Sequence, residues 1–279
     1  MALSRWRRCK SFLKTALYAR SLNAARMLHS TRIHPAEIRL PGFAGSFRLR
    51  TGTSDARFLR SLLFEDMPAE YECRPPRAPE VILDIGANIG AVTAALARRY
   101  PRAWIYSFEP LPENAELLRH NVGQFERVTV LPYGLGERTE TLPYMRSRDE
   151  RNFGGGGFHG GTARADEPLE RLDVVAVPEA LDRLGIRKAD FIKVDTEGAE
   201  HAILTSFPAY VLRGAQAVVG ELHGKPRDDE LLEYLAQWFE IRLVHSRGVP
   251  KWFRAFPRAA SVEAETARIE HGSTVRIPV

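Results

Sequence analysis

The amino-acid sequence predicts an α/β fold whose core is a doubly wound, mostly parallel sheet with an antiparallel edge and a small N-terminal extension. From residue 80 onward, short apolar runs alternate with segments of helical periodicity. Uninterrupted apolar runs are typical of strands that are buried on both faces, and their alternation with helices favours parallel pairing. A glycine-containing turn also joins the first of these runs to a helix, which is the position where doubly wound sheets bind ligands.

The first 36 residues form a basic arm with an amphipathic helical pattern. Eight Lys and Arg residues and no acidic residue precede Glu37. Without this arm the net charge falls from +5 to −3, because thirty-two basic residues then face thirty-five acidic ones. The apolar residues at helical spacing are Trp6, Cys9, Leu13, Ala16 and Leu17. The pattern is typical of a helix on a membrane surface, of an organellar transit peptide, or of a solvated helix that lies on its own domain or a partner.

Charge, hydropathy and cysteine content restrict the class of protein. No apolar run has the length needed to cross a bilayer. The slightly acidic body disfavours nucleic acid as a partner. The two cysteines, Cys9 and Cys73, lack metal-ligand spacing and favour a reducing compartment. We therefore expect a cytoplasmic protein, or a mitochondrial or membrane-peripheral one if the basic arm directs it.

Residues 37–79 predict a leading strand–helix element before the core domain. A short strand at 47–50 and a turn at 51–54 precede a helix that Ser54 or Asp55 caps. The apolar face of this helix consists of Phe58, Leu59, Leu62 and Leu63. Prolines at positions 75, 76 and 79 mark the boundary to the core domain, which we assign to residues 80–279. Arg50 and Asp55 are expected either to fold over the cofactor site or to pack against the sheet.

The core domain contains an alternating series of strands and helices. The predicted strands are 81–85, 104–109, 128–133, 190–195, 216–223 and 240–246. The predicted helices are 89–100, 112–122, 178–184, 199–207 and 228–238. The final stretches 252–256 and 274–277 predict antiparallel edge strands. Residues 146–168 interrupt the series, and GGGGFHGG at 154–161 predicts a mobile loop over the sheet or a disordered insertion, because ordering many glycines costs entropy.

The turn after the first core strand predicts a small-molecule site. Gly86 and Gly90 let backbone amides approach a ligand, and the helix that follows favours negative charge. Asn88 stands where the second glycine of a dinucleotide fingerprint belongs, and no lysine follows as in a P-loop. Asp84 suits a ligand with an ammonium group, and Glu109, which ends the second strand, suits both hydroxyls of a ribose. S-adenosylmethionine, an unphosphorylated nucleoside with an amino-acid tail, fits these features best.

Several blocks of the chain resemble the FkbM family of S-adenosylmethionine-dependent methyltransferases. DIGANIG at 84–90 and FEPLPENAELLRHN at 108–121 are similar to the first two motifs of that family. FIKVDTEGAEHAIL at 191–204 is the most distinctive block, and ELH at 221–223 closes the core. The leading LRTGTSD at 49–55 is similar to segments that precede the core in many members. The resemblance covers about residues 47–246 and is specific in combination.

The resemblance implies a class I methyltransferase (Rossmann-like) fold and methyl transfer to an oxygen, often a hydroxyl of a sugar or a polyketide-type natural product. It also implies that the first two motifs hold the cofactor and that the region after the third strand lies by the adenine. The cofactor-binding residues expected on this basis are Asp84, Gly86, Ala87, Asn88, Gly90, Glu109, Tyr133 and Gly134. The acceptor stays open, because a fold does not fix a function by itself.

Methyl transfer to an alcohol requires a base that takes the proton or a metal that assists its loss. Asp195 and Glu197 follow the fourth core strand, and His223 ends the next one; neighbouring strands lie about 4.8 Å apart. We expect these three catalytic residues to converge, with His223 as the favoured base. Structural roles stay open, since Asp195 also suits a helix cap and His223 a hydrogen-bonded position. The same groups suit Mg²⁺ or Ca²⁺, so a divalent metal is an open cofactor.

The sequence therefore predicts an enzyme that moves a methyl group from S-adenosylmethionine to a hydroxyl oxygen of a carbohydrate, glycoconjugate or natural product. One alternative is a catalytically silent, methyltransferase-like binding module, against which the presence of Asp84, Glu109 and Asp195 speaks. The other is a Rossmann enzyme that uses NAD or a nucleotide sugar, which Asn88 disfavours. The expected partner is a small-molecule or glycan hydroxyl acceptor, not a nucleic acid. Peripheral membrane contact through residues 1–36 is a further expectation, and the oligomeric state stays open.

Overall fold

The computed structural model describes residues 2–65, 67–147, 149–158, 170–224, 226–246 and 249–258. The strands are β1 Pro35–Arg39, β2 Ser46–Arg50, β3 Val81–Ile85, β4 Trp104–Phe108, β5 Val128–Leu131, β6 Gly134–Gly136, β7 Glu140–Tyr144, β8 Glu170–Ala176, β9 Phe191–Val194, β10 Ala217–Glu221, β11 Phe239–Ser246 and β12 Val249–Pro257. The helices are α1 Ala2–Ala19, α2 Leu22–Leu28, α3 Ser54–Phe64, α4 Ala91–Arg99, α5 Pro112–Val122, α6 Val177–Arg183, α7 Glu200–Thr205, α8 Ala209–Arg213 and α9 Pro226–Ala236. A 3₁₀ helix spans Ala69–Tyr71.

The central sheet has seven strands in the order β11-β12-β10-β9-β3-β4-β5. The five strands from β10 to β5 run parallel, whereas β12 runs antiparallel to both β10 and β11. The predicted doubly wound sheet with an antiparallel edge is therefore confirmed. The order of the edge differs from simple chain order, because β12 inserts between β10 and β11 and leaves β11 outermost. The connections reverse direction on either side of β3, so a ligand crevice is expected at its carboxyl end.

Helices cover both faces of this sheet, as the apolar strands require. Leu83 and Ile85 of β3 point into a core that they share with α6, α7, α8 and α9. Ile82 points to the opposite face, where it joins a core formed with α2, α3 and α4. Alternation along β3 thus explains why its sequence VILDI is apolar at nearly every position.

The N-terminal segment is attached to the second of these cores. Ala24, Ala25 and Leu28 of α2 are buried, and β1 pairs antiparallel with β2. The sequence predicted β2 but not β1, whose residues lack clear alternation. The cap of α3 is Thr53, whose hydroxyl accepts a hydrogen bond from the Asp55 amide at 3.2 Å, and not Ser54 or Asp55 as expected.

The middle of the chain contains a second sheet that the sequence did not predict. Its three strands lie in the order β6-β8-β7. Residues 146–147 and 149–158 of the predicted loop are described, and Gly157 forms a bridge with Met145, directly after β7. Most of the remainder of that loop, including His159, lies outside the described residues, as does the predicted edge strand at 274–277. Among the described helices, none combines the length and the apolar character that a bilayer crossing requires.

Candidate active site

A cleft of about 620 Å³ opens at the carboxyl ends of the parallel strands. Its volume lies within the range of about 300–1,000 Å³ that is common for small-molecule sites. The turn after β3 forms its floor, the end of β4 forms one wall, and the ends of β9 and β10 form the other. The 3₁₀ helix, the glycine-rich segment 152–158 and the antiparallel strand β12 enclose it from above.

The turn after β3 has the tight backbone that its glycines predict. Gly86 (φ +78°), Asn88 (φ +50°) and Gly90 (φ +84°) all lie in the left-handed region. A Cβ atom on Gly86 would come within 1.8 Å of the Asp195 carbonyl oxygen, so only glycine fits there. A Cβ atom on Gly90 would collide with Leu118 of α5 at 2.6 Å. The first glycine therefore brings the β3 and β9 turns together, and the second brings α4 against α5.

Asp84 does not line the cleft, so its expected contact with the ammonium group of the cofactor stays a prediction. The side chain is fully buried beneath the turn, where its Oδ1 lies 3.0 Å from the Lys193 Nζ. Thr93 donates a hydrogen bond to the other carboxylate oxygen at 2.6 Å. Lys193 also donates to the Gly86 carbonyl oxygen at 2.6 Å. Burial by itself lowers the pKa of Lys193, but Asp84 and Asp195 raise it above its usual value, so the lysine keeps its charge and holds the turn in place.

Glu109 lies in the cleft as predicted, directly after β4. Its carboxylate accepts hydrogen bonds from the Asn88 amide at 2.8 Å and the Leu111 amide at 3.0 Å. Burial raises the pKa of Glu109 to about 7, although these amides and the Asn114 side chain oppose the shift. Arg50 donates to Asn114 at 2.7 Å and pairs with Asp55 at 2.7 Å. Arg50 and Asp55 therefore pack behind Glu109 and against α5, whereas Arg57 and Phe58 of α3 line the cleft.

The other residues expected at the cofactor fall into two groups. Asn88 and Gly134 line the cleft together with Gly86 and Glu109. Ala87 is buried against α5, and Gly90 is buried at the start of α4. Tyr133 packs edge-on against Phe108, with ring centroids 5.8 Å apart, and faces the core instead of the cleft. Ala87, Gly90 and Tyr133 thus pack behind the turn or strand that each of them shapes, and their contact with the cofactor stays a prediction.

The three predicted catalytic residues converge on the opposite wall. Asp195, Glu197 and His223 all line the cleft, and Glu197 adopts a left-handed backbone (φ +58°). The His223 Nδ1 lies 3.8 Å from the Glu197 Oε2, and its Nε2 lies 3.2 Å from the Glu200 Oε1. Glu221, at the end of β10, completes the group. The sequence block around Glu221 was recognised, but its carboxylate was not identified as a site residue.

The surroundings of His223 disfavour its expected role as the general base. Burial by itself lowers the pKa of His223, but Glu200, Glu221 and Glu197 raise it to about 9. The imidazole is therefore protonated near neutral pH and provides a positive charge. Burial and the nearby Asp195 raise the pKa of Glu197 to about 7. A carboxylate with that pKa exchanges a proton readily near neutral pH, so Glu197 has the better properties of a base.

Asp195 is held in its ionised form. Burial opposes ionisation, but Lys193, Tyr71 and His223 together keep the pKa of Asp195 below its usual value. The Tyr71 hydroxyl donates a short hydrogen bond to the Asp195 carboxylate. Burial and the charge of Asp195 raise the pKa of Tyr71, so this phenol stays protonated. Asp195 therefore acts as an acceptor that fixes Tyr71 over the cleft.

Several cleft residues carried no recognisable sequence signal. Tyr71 stands in an irregular stretch between two prolines, and Lys251 and Trp252 belong to β12. Lys251 forms an ion pair with Glu221, and its ammonium lies 5.3 Å from the Trp252 ring centroid. Glu221 had a usable signal, because a carboxylate at the end of a core strand is expected to face the ligand crevice.

Two groups of side chains have the spacing that a divalent cation requires. One group is Asp195, Glu200 and His223, and the other is Asp195, Glu197 and Glu221. Within each group the potential ligand atoms all lie within 4.8 Å of one another. Carboxylate oxygens are the ligands that Mg²⁺ and Ca²⁺ prefer, so the cleft has the donors for such an ion.

Comparison with known proteins identifies relatives for most of this region. The family model of the Methyltransferase FkbM domain matches residues 84–246. The AMB antimetabolite synthetase AmbE of Pseudomonas aeruginosa is 29% identical over 184 residues, which cover 54% of this chain and 9% of that protein. The methyltransferase sdnD of Sordaria araneosa is 29% identical over 185 residues, which cover 54% of this chain and 68% of that protein. The 2-O-methyltransferase NoeI of Sinorhizobium fredii is 24% identical over 136 residues, which cover 44% of this chain and 56% of that protein.

These matches span different shares of the relatives. The similarity covers less than two thirds of AmbE and of NoeI. Among solved structures, the FkbM methyltransferase of Methylobacillus flagellatus is 16% identical with a TM-score of 0.47, and the superposition covers 90% of this chain and 59% of that one. The strand order described above, and not this superposition, establishes the fold.

The matched range begins within β3, at Asp84, and ends with β11, so it contains both walls of the cleft. It covers more than half of the chain and all four sequence blocks of the core domain. The chain belongs to the FkbM methyltransferase family.

Proposed function

We propose that this protein transfers a methyl group from S-adenosylmethionine to a hydroxyl oxygen of an acceptor bound in the cleft. The observation that carries the proposal is that two different sets of side chains face each other across a single cleft. The tight turn and Glu109 lie on one side, and Asp195, Glu197 and His223 lie on the other. The family supports methyl transfer, and the name of the relative NoeI, a 2-O-methyltransferase, supports an oxygen as the target.

The cleft wall at Glu109 fits a nucleoside. The Glu109 Oε2 accepts only from the Asn88 amide, so it can accept a ribose hydroxyl, whereas the Oε1 accepts from the Leu111 amide and, at 3.4 Å, from the Asn114 side chain, which a second hydroxyl would have to displace. The Asn88 side-chain oxygen is buried without a hydrogen-bond partner among the described residues, so an acceptor is available for a ligand N–H. When bound, S-adenosylmethionine would supply an electrophilic methyl group.

The opposite wall provides a base for the acceptor. Glu197 lines the cleft with a pKa of about 7, so it can take the proton of an alcohol while the alcohol oxygen is methylated. Asp195 holds Tyr71, and the protonated His223 lies 3.8 Å from Glu197, where its charge stabilises the ionised carboxylate. We therefore assign proton transfer to Glu197 and the positioning of that wall to Asp195 and His223.

The upper part of the cleft fits a hydroxylated, ring-shaped acceptor. Trp252 and Tyr144 line it, and aromatic faces pack well against the apolar faces of sugar rings. The Trp252 indole nitrogen is buried without a hydrogen-bond partner among the described residues, so it can donate to an acceptor oxygen. Lys251 and Asn152 also lie at this end. These groups favour a carbohydrate, a glycoconjugate or a similar natural product.

Calorimetric titration with S-adenosylmethionine and, separately, with NAD⁺ tests the proposal. We expect binding of S-adenosylmethionine only. Glu109→Gln should weaken it about tenfold or more, because an amide offers only one acceptor oxygen for the Asn88 and Leu111 amides and the ribose. Glu116→Gln, an exposed carboxylate on α5, is the matched control and should bind like the parent protein. Binding of NAD⁺, or equal affinity in both variants, would contradict the cofactor assignment.

Transfer of labelled methyl from S-adenosylmethionine to a panel of mono- and oligosaccharides then tests the reaction. The assay is run with and without EDTA, since the acidic groups also have the spacing for a cation. Proton transfer by Glu197 alone predicts the same rate in both conditions, whereas a loss of rate with EDTA would assign the acidic groups to a metal. Tight cofactor binding with no transfer to any hydroxyl would favour the methyltransferase-like binding module.

A further inference from the structure

We propose that the exposed face of α1 binds the surface of a membrane that contains anionic lipids. Of the nine large hydrophobic side chains that are exposed among the described residues, six precede residue 34. Four of them belong to α1, and the three that are most exposed are Trp6 (61%), Leu13 (59%) and Leu17 (74%). Each residue advances about 100° around an α-helix, so these three side chains lie within about 40° of one another. They form a continuous apolar stripe.

The opposite face of α1 attaches the helix to the domain. Thr15 and Ala19 are buried, and they lie about 160° around the helix from the stripe. The Thr15 hydroxyl lies 2.8 Å from the His29 Nε2 of the segment after α2. Tyr18 packs edge-on against Phe64 of α3, with ring centroids 5.0 Å apart. Because the helix is already docked through this face, the stripe is not a core surface awaiting the rest of the domain.

The charges beside the stripe specify the kind of partner. Lys10 and Lys14 lie along one side of it, Arg20 follows the end of the helix, and all three are exposed. The Lys10 ammonium lies 5.3 Å from the Trp6 ring centroid, so the cation sits at the edge of the apolar surface. The helix contains no acidic residue. An apolar stripe with basic borders is complementary to a bilayer interface whose headgroups are negative.

The same features disfavour a second copy of the chain as the occupant. Two such faces would bring two sets of basic residues together without any acidic side chain on α1 to offset them. The eighteen residues of α1 correspond to a length of about 27 Å. The helix is too polar to cross a bilayer, and it would therefore lie in the plane of the interface with Trp6, Leu13 and Leu17 inserted.

Co-sedimentation of the full-length protein with vesicles tests this inference. We expect binding to mixed phosphatidylcholine–phosphatidylserine vesicles, about tenfold or more weaker binding to phosphatidylcholine alone, and loss of binding at high salt. Trp6→Ser, Leu13→Ser and Leu17→Ser combined should abolish binding. The matched control combines Trp104→Ser, Tyr210→Ser and Leu243→Ser, which change three exposed hydrophobic residues of the core domain, and it should bind like the parent protein.

Several outcomes would overturn the inference. One is failure of the parent protein to bind anionic vesicles, and another is unchanged binding of the α1 triple variant. Equal binding to neutral and anionic vesicles would refute the role of the basic residues. If the parent protein is instead a dimer that the α1 variant converts to a monomer, without vesicle binding, the face is an interface between copies. The salt dependence of the parent protein needs no variant, so the test does not depend on how the variants fold.

Discussion

At the scale of single residues, the buried charges decide which side chains face the cleft. Asp84 ends an apolar strand and would be left uncompensated inside the domain without a partner. Lys193 of the neighbouring strand is that partner, at 3.0 Å, and it also holds the Gly86 carbonyl oxygen. The motif carboxylate thus shapes the turn from beneath, and Glu109 is the carboxylate that a nucleoside would meet.

The ion pair beneath the turn gives a stability prediction. Lys193→Met should lower the free energy of unfolding by about 3–5 kcal/mol, because it leaves the Asp84 charge buried without a partner. Adding Asp84→Asn should restore more than half of the loss, since the buried charge is then gone and Thr93 keeps a hydrogen-bond partner. Lys188→Met removes a lysine whose side chain is 53% exposed and should cost less than about 1 kcal/mol. Urea unfolding of the four proteins measures these differences.

The assignment of the base gives a prediction for activity. Glu197→Gln should reduce kcat by about 10²–10⁴-fold, because the amide cannot accept the alcohol proton. In the parent protein, kcat/KM should rise with pH up to about 7, since the basic form of Glu197 appears as the pH passes its raised pKa. His223→Gln should keep this rise and move it to higher pH, because the loss of a positive charge beside Glu197 raises the pKa of that carboxyl.

A different result for these two variants would change the assignment. If Glu197→Gln retains activity and His223→Gln removes the pH dependence altogether, the imidazole is the base after all. The profile is measured with a methyl acceptor at saturating S-adenosylmethionine, so that titration of Glu109 does not contribute through cofactor binding.

At the scale of the elements, close backbone contact between turns builds the site. The β3 turn and the β9 turn touch at Gly86 and the Asp195 carbonyl oxygen, which places the turn proposed to bind the cofactor next to the carboxylates proposed for catalysis. The glycine-rich segment packs in the same way, since a Cβ on Gly157 would come within 3.1 Å of the Glu197 Cβ. Its glycines thus serve close packing over the cleft, at least in the part that is described.

Two alanine substitutions separate close contact from backbone strain. Gly86→Ala and Gly185→Ala both place alanine at a positive φ, +78° and +66°. An added Cβ at position 185 meets no atom within 4 Å, so that variant should lose only about 1–2 kcal/mol of stability. Gly86→Ala should lose distinctly more and should bind S-adenosylmethionine weakly, because the two turns must separate. Equal losses in urea unfolding would show that the contact between the turns is not needed.

At the scale of the whole molecule, the basic arm and the leading element are continuous with the core domain. The segment before residue 37 contains α2, which is buried, and the start of β1, which pairs with β2. The helix that carries the exposed stripe, α1, is therefore attached to α2 and through it to β1, which are packed parts of the domain.

Two truncations test this continuity. One buried Leu→Ala change costs about 2–5 kcal/mol. Deleting residues 1–36 should lower the free energy of unfolding by more than this, because Leu28, Ala25 and part of β1 are lost together. Deleting only residues 1–10, among which the described side chains of Trp6, Cys9 and Lys10 are exposed, should cost less than about 1 kcal/mol. Thermal melting compares the two proteins with the full chain. An unchanged melting temperature for the longer deletion would contradict the packing of α2.

The sequence by itself determined the fold class, most of the core strands and helices, the turn after β3 and the convergence of Asp195, Glu197 and His223. It could do so because apolar periodicity and left-handed turns are local properties, and because the carboxyl ends of parallel strands meet at one edge.

Only the tertiary structure decided which carboxylates are buried as ion pairs and which face the cleft. It paired Lys193 with Asp84 and Lys251 with Glu221, and it brought the Tyr71 hydroxyl into hydrogen-bond contact with Asp195, although the partners are far apart in the sequence. It also set the protonation of His223, because the pKa of a group depends on every charge packed around it. Such pairings have no sequence period, so no local pattern predicts them.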